Sequence, residues 1–316
     1  MAKWIKAKRL SAFTSFAYGG NPAWIILGAD GLSDDIMRRL SHDLNPLSDT
    51  AFVLKEDTSE ADVFLRFFTG SGEINFSGHT AVATYFALSG ENVVKMVEPI
   101  TLIKQRTKAG IQQVEIRVKN EKVTRVTVLL AKPNYMEVDV NPNVVAKTLG
   151  ITANDITATG LPFDVIACGF YDLIVPLKKL DDMKKISPNF ALMDSMCTRF
   201  GVQGVVVFCT ETFEQGSHAF MRHFAPVVGV NEDPISGASA GSLGCYLIRN
   251  RMIEPSSFSR IVIEQGYMQQ RRGKVYVHIE CTLDQILRVK VGGYSVLTFT
   301  GYVLAPDEEL FKTISV

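Results

Sequence analysis

Apolar residues alternate with polar ones, or run together in β-branched stretches, at Trp4–Leu10, Trp24–Leu27, Ala51–Lys55, Val63–Phe68, Thr101–Lys104, Val114–Val118 and Val123–Leu130. Each stretch predicts a strand. The same half predicts only two helices: Ser33–Leu44, opened by the cap-forming Ser33 and Asp34, and Gly78–Leu88. Lys132-Pro133-Asn134-Tyr135 interrupts the pattern, and a similar order then resumes. Strands are predicted at Phe163–Ala167, Tyr171–Pro176, Val205–Cys209 and Ala219–Phe224, with helices at Phe190–Phe200 and Gly237–Arg249. Late strands follow at Ile261–Glu264, Val275–Glu280, Leu287–Val291 and Tyr294–Val303.

The two halves also share a phrase. Leu65-Arg66-Phe67-Phe68 leads to Ser77-Gly78-His79-Thr80-Ala81, and Met221-Arg222-His223-Phe224 leads to Ser236-Gly237-Ala238-Ser239-Ala240. Each Ser-Gly step opens a helix without a charged residue, from Gly78 to Leu88 and from Ser236 to Ile248. A helix apolar on all sides is buried, here inside a curled sheet. The reading is an α+β fold of two pseudo-symmetric β-barrel-like domains, each wrapped around a central helix. The domains are expected at 1–131 and 132–299, with the C-terminal strand 300–316 a candidate for return to the first. A helix start leaves backbone N–H groups without intrahelical partners and carries the positive end of the macrodipole, which suits a carboxylate or phosphate.

Length agrees with duplication, because 316 residues exceed one typical core. Lys plus Arg and Asp plus Glu number 33 each, so no electrostatic footprint for nucleic acid is present and small-molecule chemistry is favoured. Met1–Arg9 has no apolar signal region, and runs such as Gly204–Cys209 are far shorter than a membrane span. A soluble, cytoplasmic protein is expected. The five cysteines (Cys168, Cys197, Cys209, Cys245, Cys281) are scattered in apolar segments without ligand spacing, which predicts free buried thiols and no metal site. Gly19-Gly20-Asn21-Pro22 is turn chemistry, and no dinucleotide or P-loop fingerprint occurs. Arg66 and Arg222, at strand ends, read as structural anchors more readily than as ligands.

Further residues fall into a familiar order: Phe13, Gly19-Gly20-Asn21-Pro22, His42-Asp43-Leu44-Asn45, Ser48-Asp49-Thr50-Ala51-Phe52, Arg66-Phe67-Phe68 and Gly78-His79-Thr80. The second half adds Arg222, Phe224-Ala225-Pro226, Gly229-Val230-Asn231-Glu232-Asp233-Pro234, Ser236-Gly237 and Ile263-Glu264-Gln265-Gly266. This set, spread over nearly the whole chain, resembles the PhzF-like (PhzC/PhzF) family of phenazine biosynthesis proteins. The resemblance implies a diaminopimelate epimerase-like fold with an active site in the cleft between two domains. It also implies a cofactor-free isomerase that moves a proton on a small carboxylate metabolite, in a chain that is commonly a homodimer.

By motif position the family's acid/base glutamate falls on Asp43, with Asp49 as the second candidate. Asp is one methylene shorter, a displacement of roughly 1.5 Å, and a misplacement of about 1 Å can cost on the order of 100-fold in rate. Pro46 looks inserted between Asn45 and Leu47 and offers a compensating backbone shift, while Leu44 and Leu47 suit a dry carboxyl. Without the resemblance, Asp43 would read as a solvated turn residue. The resemblance further assigns His79 and Asp233 to catalysis. It assigns Asn21, Ser77, Gly78, Thr80, Ser236, Gly237, Ala238 and Ser239 to substrate binding. Two of these depart from the family pattern, which often has serine at Ala238 and cysteine at Ser77. Without cysteine in either Ser-Gly segment, a two-thiol mechanism is disfavoured. The alternative function is a small-anion binding or regulatory protein that has lost catalysis on the same scaffold.

Overall fold

The computed structural model describes residues 3–45, 48–282 and 285–306. Pro46 and Leu47, invoked above for the setting of Asp43, lie outside the described residues, as do 307–316 of the expected returning strand. The first half runs β1 (Lys3–Ala12), β2 (Asn21–Leu27), α1 (Asp34–Leu44), β3 (Thr50–Leu54), β4 (Val63–Thr69), β5 (Gly72–Ile74), α2 (Gly78–Leu88), β6 (Ile100–Thr107), β7 (Gly110–Lys119) and β8 (Lys122–Leu129). The second runs β9 (Asn134–Met136), α3 (Pro142–Leu149), α4 (Ala153–Thr157), β10 (Asp164–Ala167), β11 (Tyr171–Pro176), α5 (Leu180–Lys185), α6 (Phe190–Phe200), β12 (Gly204–Cys209) and β13 (Ala219–Ala225). It continues through β14 (Val230–Asp233), α7 (Gly237–Arg249), β15 (Ser259–Gln265), β16 (Gly273–Cys281) and β17 (Ile286–Gly293), and the last strand is β18 (Ser295–Ala305). The chain divides into two compact units, one reaching Val128 and including β18, the other Leu129–Gly292.

In the first unit β18 pairs antiparallel with β1, and β1 with β2. β2 then runs parallel to β3, β3 antiparallel to β4, and β4 parallel to β6, while β5 turns back against β4. β6, β7 and β8 complete the series as an antiparallel meander. Inside this curl lies α2, buried except at Gly78 and Phe86 and packed on β1, β2, β3 and β18. Its C-terminal end receives the buried Lys8, whose Nζ donates to the Ala87 carbonyl at 2.5 Å and pairs with Glu91. A cation there satisfies an orphan carbonyl and complements the negative end of the dipole. Strand alternation sends Ile26, Phe52 and Phe68 to the outer face, where they form a second core with Ile36, Met37 and Leu40 of α1.

The second unit repeats the plan. β10 is antiparallel to β11, β11 parallel to β12, β12 antiparallel to β13, and β13 parallel to β15, with β14 turned back against β13 and β15, β16 and β17 as the meander. Its central helix, α7, packs on β10, β11 and β16. Close approach explains two of its glycines: a Cβ on Gly241 would lie 2.6 Å from Leu130 Cδ1, and one on Gly244 2.9 Å from Val277 Cγ1. The outer face carries a larger core in which Leu173, Val205, Val207 and Phe224 meet Val145 and Leu149 of α3, Met183 of α5, and Met193 and Cys197 of α6. All five cysteines are buried. No helix among the described residues is long and apolar enough to cross a membrane.

Candidate active site

Strand register makes the two halves comparable position by position. In the first, Ile25, Ala51, Phe67 and Ile74 lie side by side across β2, β3, β4 and β5. In the second, Ile174, Val206, His223 and Asp233 do so across β11, β12, β13 and β14. Two residues back along the parallel pair, Ala23 matches Asp172 and Asp49 matches Gly204. At the helix starts Ser77, Gly78, His79 and Thr80 match Ser236, Gly237, Ala238 and Ser239.

Around the start of α2 the chain brings together Asn21, Ser48, Asp49, Ser77, His79 and Thr80. Ser48 Oγ donates to Asn21 Oδ1 at 3.1 Å and lies 2.9 Å from His79 Nε2. Thr80 Oγ1 is 3.1 Å from the same nitrogen, Ser77 Oγ is 3.3 Å from His79 Nδ1, and the Ser77 and Thr80 hydroxyls are 2.8 Å apart. Asp49 Oδ2 stands 3.9 Å from His79 Nδ1, with the Asp49 side chain 20% exposed and the His79 ring buried. Position follows from local structure: Asp49 immediately precedes β3, whose parallel pairing with β2 sets it next to the α2 start.

Asp43 does not join this group. It lies near the end of α1, off the face that buries Ile36, Met37, Leu40 and Ser41. Its side chain is 81% exposed, with Oδ1 3.0 Å from Nδ1 of His42, which is also exposed. The acid beside His79 is therefore Asp49, and the dry setting expected for Asp43 is not met.

At the start of α7, Ser236 Oγ accepts from the Ser239 N–H at 3.3 Å and donates to Ser239 Oγ at 2.9 Å. Gln265 clamps the Ser236 peptide from both sides, accepting from its N–H at 3.0 Å and donating to its carbonyl at 3.1 Å. Gly237 is buried and Ala238 half-buried. Asp233 is the last residue of β14; Oδ1 accepts from the Ile235 N–H at 3.3 Å. Behind it sits an ion pair that the motif reading missed. His223 Nε2 is 3.1 Å from Asp172 Oδ1 and His223 Nδ1 is 3.8 Å from Asp233 Oδ2. Burial disfavours the charged ring, but the two carboxylates, Asp172 foremost, outweigh it and push His223 up to about 10. The signal available in the sequence was the repeat itself, which has His223 where Phe67 stands in the first copy.

Arg66 and Arg222 are anchors. Arg66 donates Nε and Nη2 to Glu73 at 2.8 and 2.9 Å, and Arg222 donates Nε and Nη2 to Glu232 at 2.8 Å each. Each pair locks the short return strand, β5 or β14, onto its neighbour.

The same strand plan thus occurs twice, each time around a buried helix opened by a Ser-Gly step. The family profile of phenazine biosynthesis-like proteins (PhzC-PhzF) matches residues 10–301, and the chain belongs to that family. Along its sequence it is 30% identical to the uncharacterized isomerase YfhB of Bacillus subtilis (strain 168), covering 96% of this chain and 97% of that one. It is 27% identical to the trans-2,3-dihydro-3-hydroxyanthranilate isomerase of Pseudomonas chlororaphis, over 93% of this chain and 98% of the relative. The crystal structure of the Bacillus anthracis PhzF-family phenazine biosynthesis protein superposes with a TM-score of 0.86 at 27% identity, covering 95% and 99% of the two chains. The protein is an isomerase of this family.

Proposed function

We propose that the protein moves a proton on a small carboxylate-bearing metabolite by cofactor-independent general acid/base catalysis, with Asp49 and His79 carrying the transfer. The supporting observation is the 3.9 Å approach of Asp49 Oδ2 to His79 Nδ1 at the N-terminus of a buried helix. A carboxylate there takes a proton from the carbon next to the substrate carboxylate, and the proton returns at another position, so no oxidant or reductant enters the balance. The hydroxyls of Ser48, Ser77 and Thr80 hold the imidazole, and the first-turn N–H groups of α2 suit the substrate's negative charge. Asn21, Ser77, Gly78 and Thr80 from one half, and Ser236, Gly237, Ala238 and Ser239 from the other, are the proposed substrate-holding residues. Asp233 is the second proposed acid. The Pseudomonas chlororaphis relative, whose named substrate is itself a carboxylate, favours the same class.

The test is incubation of the full chain in D2O with trans-2,3-dihydro-3-hydroxyanthranilate and with a series of 2-amino carboxylates, reading deuterium at carbon by NMR. Incorporation is expected with at least one probe, and Asp49→Asn should slow it by 10²-fold or more while Asp43→Asn leaves it intact. Exchange at the wild-type rate in Asp49→Asn removes Asp49 from the mechanism.

A further inference from the structure

Asp172, His223 and Asp233 form a line from the interior of the second unit outward. The side chains of Asp172 and His223 are 1% and 2% exposed, that of Asp233 21%. Alternation places Leu173, Val205 and Phe224 in the outer core and so turns Asp172, Val206 and His223 to the opposite face, toward α7. The ring of Phe170 lies beside the imidazole at 5.8 Å between centroids.

This arrangement is expensive for a fold that has an apolar alternative. At matching positions the first unit uses Ala23, Phe67 and Ile74 in the same strand plan. Replacing a buried ion pair by well-packed apolar groups of similar volume is often neutral or stabilising, and here neither Asp172 Oδ2 nor His223 Nδ1 has a hydrogen-bond partner among the described residues. Room has also been made for it. A Cβ on Gly204 would lie 2.5 Å from His223 Nε2 and 2.6 Å from Asp172 Oδ1, and the first unit carries Asp49 at that position. What the second unit has in this register that the first lacks is the acid at the end of β14.

We propose that His223 is the positioning residue of Asp233: backed by Asp172, its imidazolium acts as a buried charge 3.8 Å from Oδ2 of the Asp233 carboxylate while the Ile235 N–H holds Oδ1 by a hydrogen bond. For the role of Asp233 itself this rests on the proposed proton-transfer function. The groups facing His223 are Asp172 on β11 and Asp233 on β14; Cys197 on α6, pushed up to about 12 by burial and by Asp172, stays a neutral thiol.

The decisive experiment follows the ring nitrogens of 15N-histidine-labelled full-length protein through a pH titration, with His223→Phe assigning one of the five histidines. His223 is expected to keep both ring protons past pH 9, and Asp233→Asn to lower its midpoint by roughly one unit. A midpoint near that of a free histidine, or one unmoved in Asp233→Asn, overturns the proposal. The second arm is the double variant Asp172→Ala with His223→Phe, which copies the apolar set of the first unit. With a probe that the wild type exchanges, kcat should fall about tenfold or more with KM little changed; wild-type kcat in the folded double variant also overturns it. If the wild type exchanges no probe yet shows the coupled titration, the proposed function fails and the His223 clamp stands.

Discussion

At the start of its central helix each half carries the same pair of hydroxyls, Ser77 with Thr80 at 2.8 Å and Ser236 with Ser239 at 2.9 Å, but the ionisable groups around the two pairs occupy different positions. The first half sets its acid, Asp49, before β3 and its histidine, His79, in the helix. The second has Gly204 and Ala238 at those places and instead puts its acid at the end of β14 and its histidine on β13. Duplication supplied one scaffold twice, and the scaffold tolerates an acid–histidine pair at either of two registers. An anchor common to both, Arg66 with Glu73 and Arg222 with Glu232, keeps β5 and β14 in place whichever register is used.

The sharpest way to break this comparison is at the acids. Asp49→Asn is expected to lower proton exchange by 10²-fold or more with the thermal unfolding midpoint little changed, whereas Asp43→Asn should match wild type in both. Equal losses from the two variants would return Asp43 to the mechanism and erase the assignment made from its surroundings.

Next in size is a substitution that forces the second half toward the first. Gly204→Ala introduces a Cβ against His223 and Asp172, both buried, and overpacking of this kind costs about 1–3 kcal/mol. Denaturant unfolding should show that loss in the wild-type background and a smaller one when Asp172→Ala and His223→Phe are already present. A cycle with no such coupling would mean that Gly204 is there for some reason other than the ion pair.

Most of the fold could be read from the chain, and the reason is periodicity. The two central helices, Gly78–Leu88 and Gly237–Arg249, are legible because the absence of charge from Gly78 to Leu88 and from Ser236 to Ile248 marks burial on all sides. The short return strands β5 and β14 are not legible in the sequence because three or four residues carry no alternation. The site was legible at His79, whose neighbours in sequence are also neighbours in space. Asp43 and Asp49 are six residues apart on either side of Asn45, and motif position alone selects the one whose side chain lies in solvent. Only the parallel pairing of β2 with β3 distinguishes the acid brought to the helix start from the one left on the surface of α1. Asp172 and His223 are 51 residues apart, and no local pattern connects them.

The ion pair also gives the halves different pH responses. His223 sits at about 10 in the folded protein, above the ordinary histidine value, so between roughly pH 6.5 and 10 the native state holds a proton that the unfolded chain has released. Its contribution is therefore complete below the unfolded value and is lost as pH rises through 10, with a slope of up to ~1.4 kcal/mol per pH unit. Urea unfolding from pH 6 to 10 should show a decline in wild type that is much shallower in His223→Phe. Parallel declines would assign the alkaline loss to other groups.

The smallest expected effect separates the two serines that open the helices. Ser236 is an N-cap in the full sense, since its Oγ accepts from the Ser239 N–H. Ser77 occupies the same place but makes no cap hydrogen bond, its hydroxyl being engaged with His79 and Thr80. Ser236→Ala should then cost about 1 kcal/mol of stability, because a first-turn N–H in a buried setting loses its acceptor. Ser77→Ala removes no cap, so its stability cost should be smaller, but it frees the His79 ring on its Nδ1 side, next to Asp49. Its effect is expected in proton exchange and in the pH profile of that exchange. The reverse pattern, a large stability loss at Ser77 with exchange unchanged, would make the first helix start a structural cap like the second and leave His79 without the support that orients it.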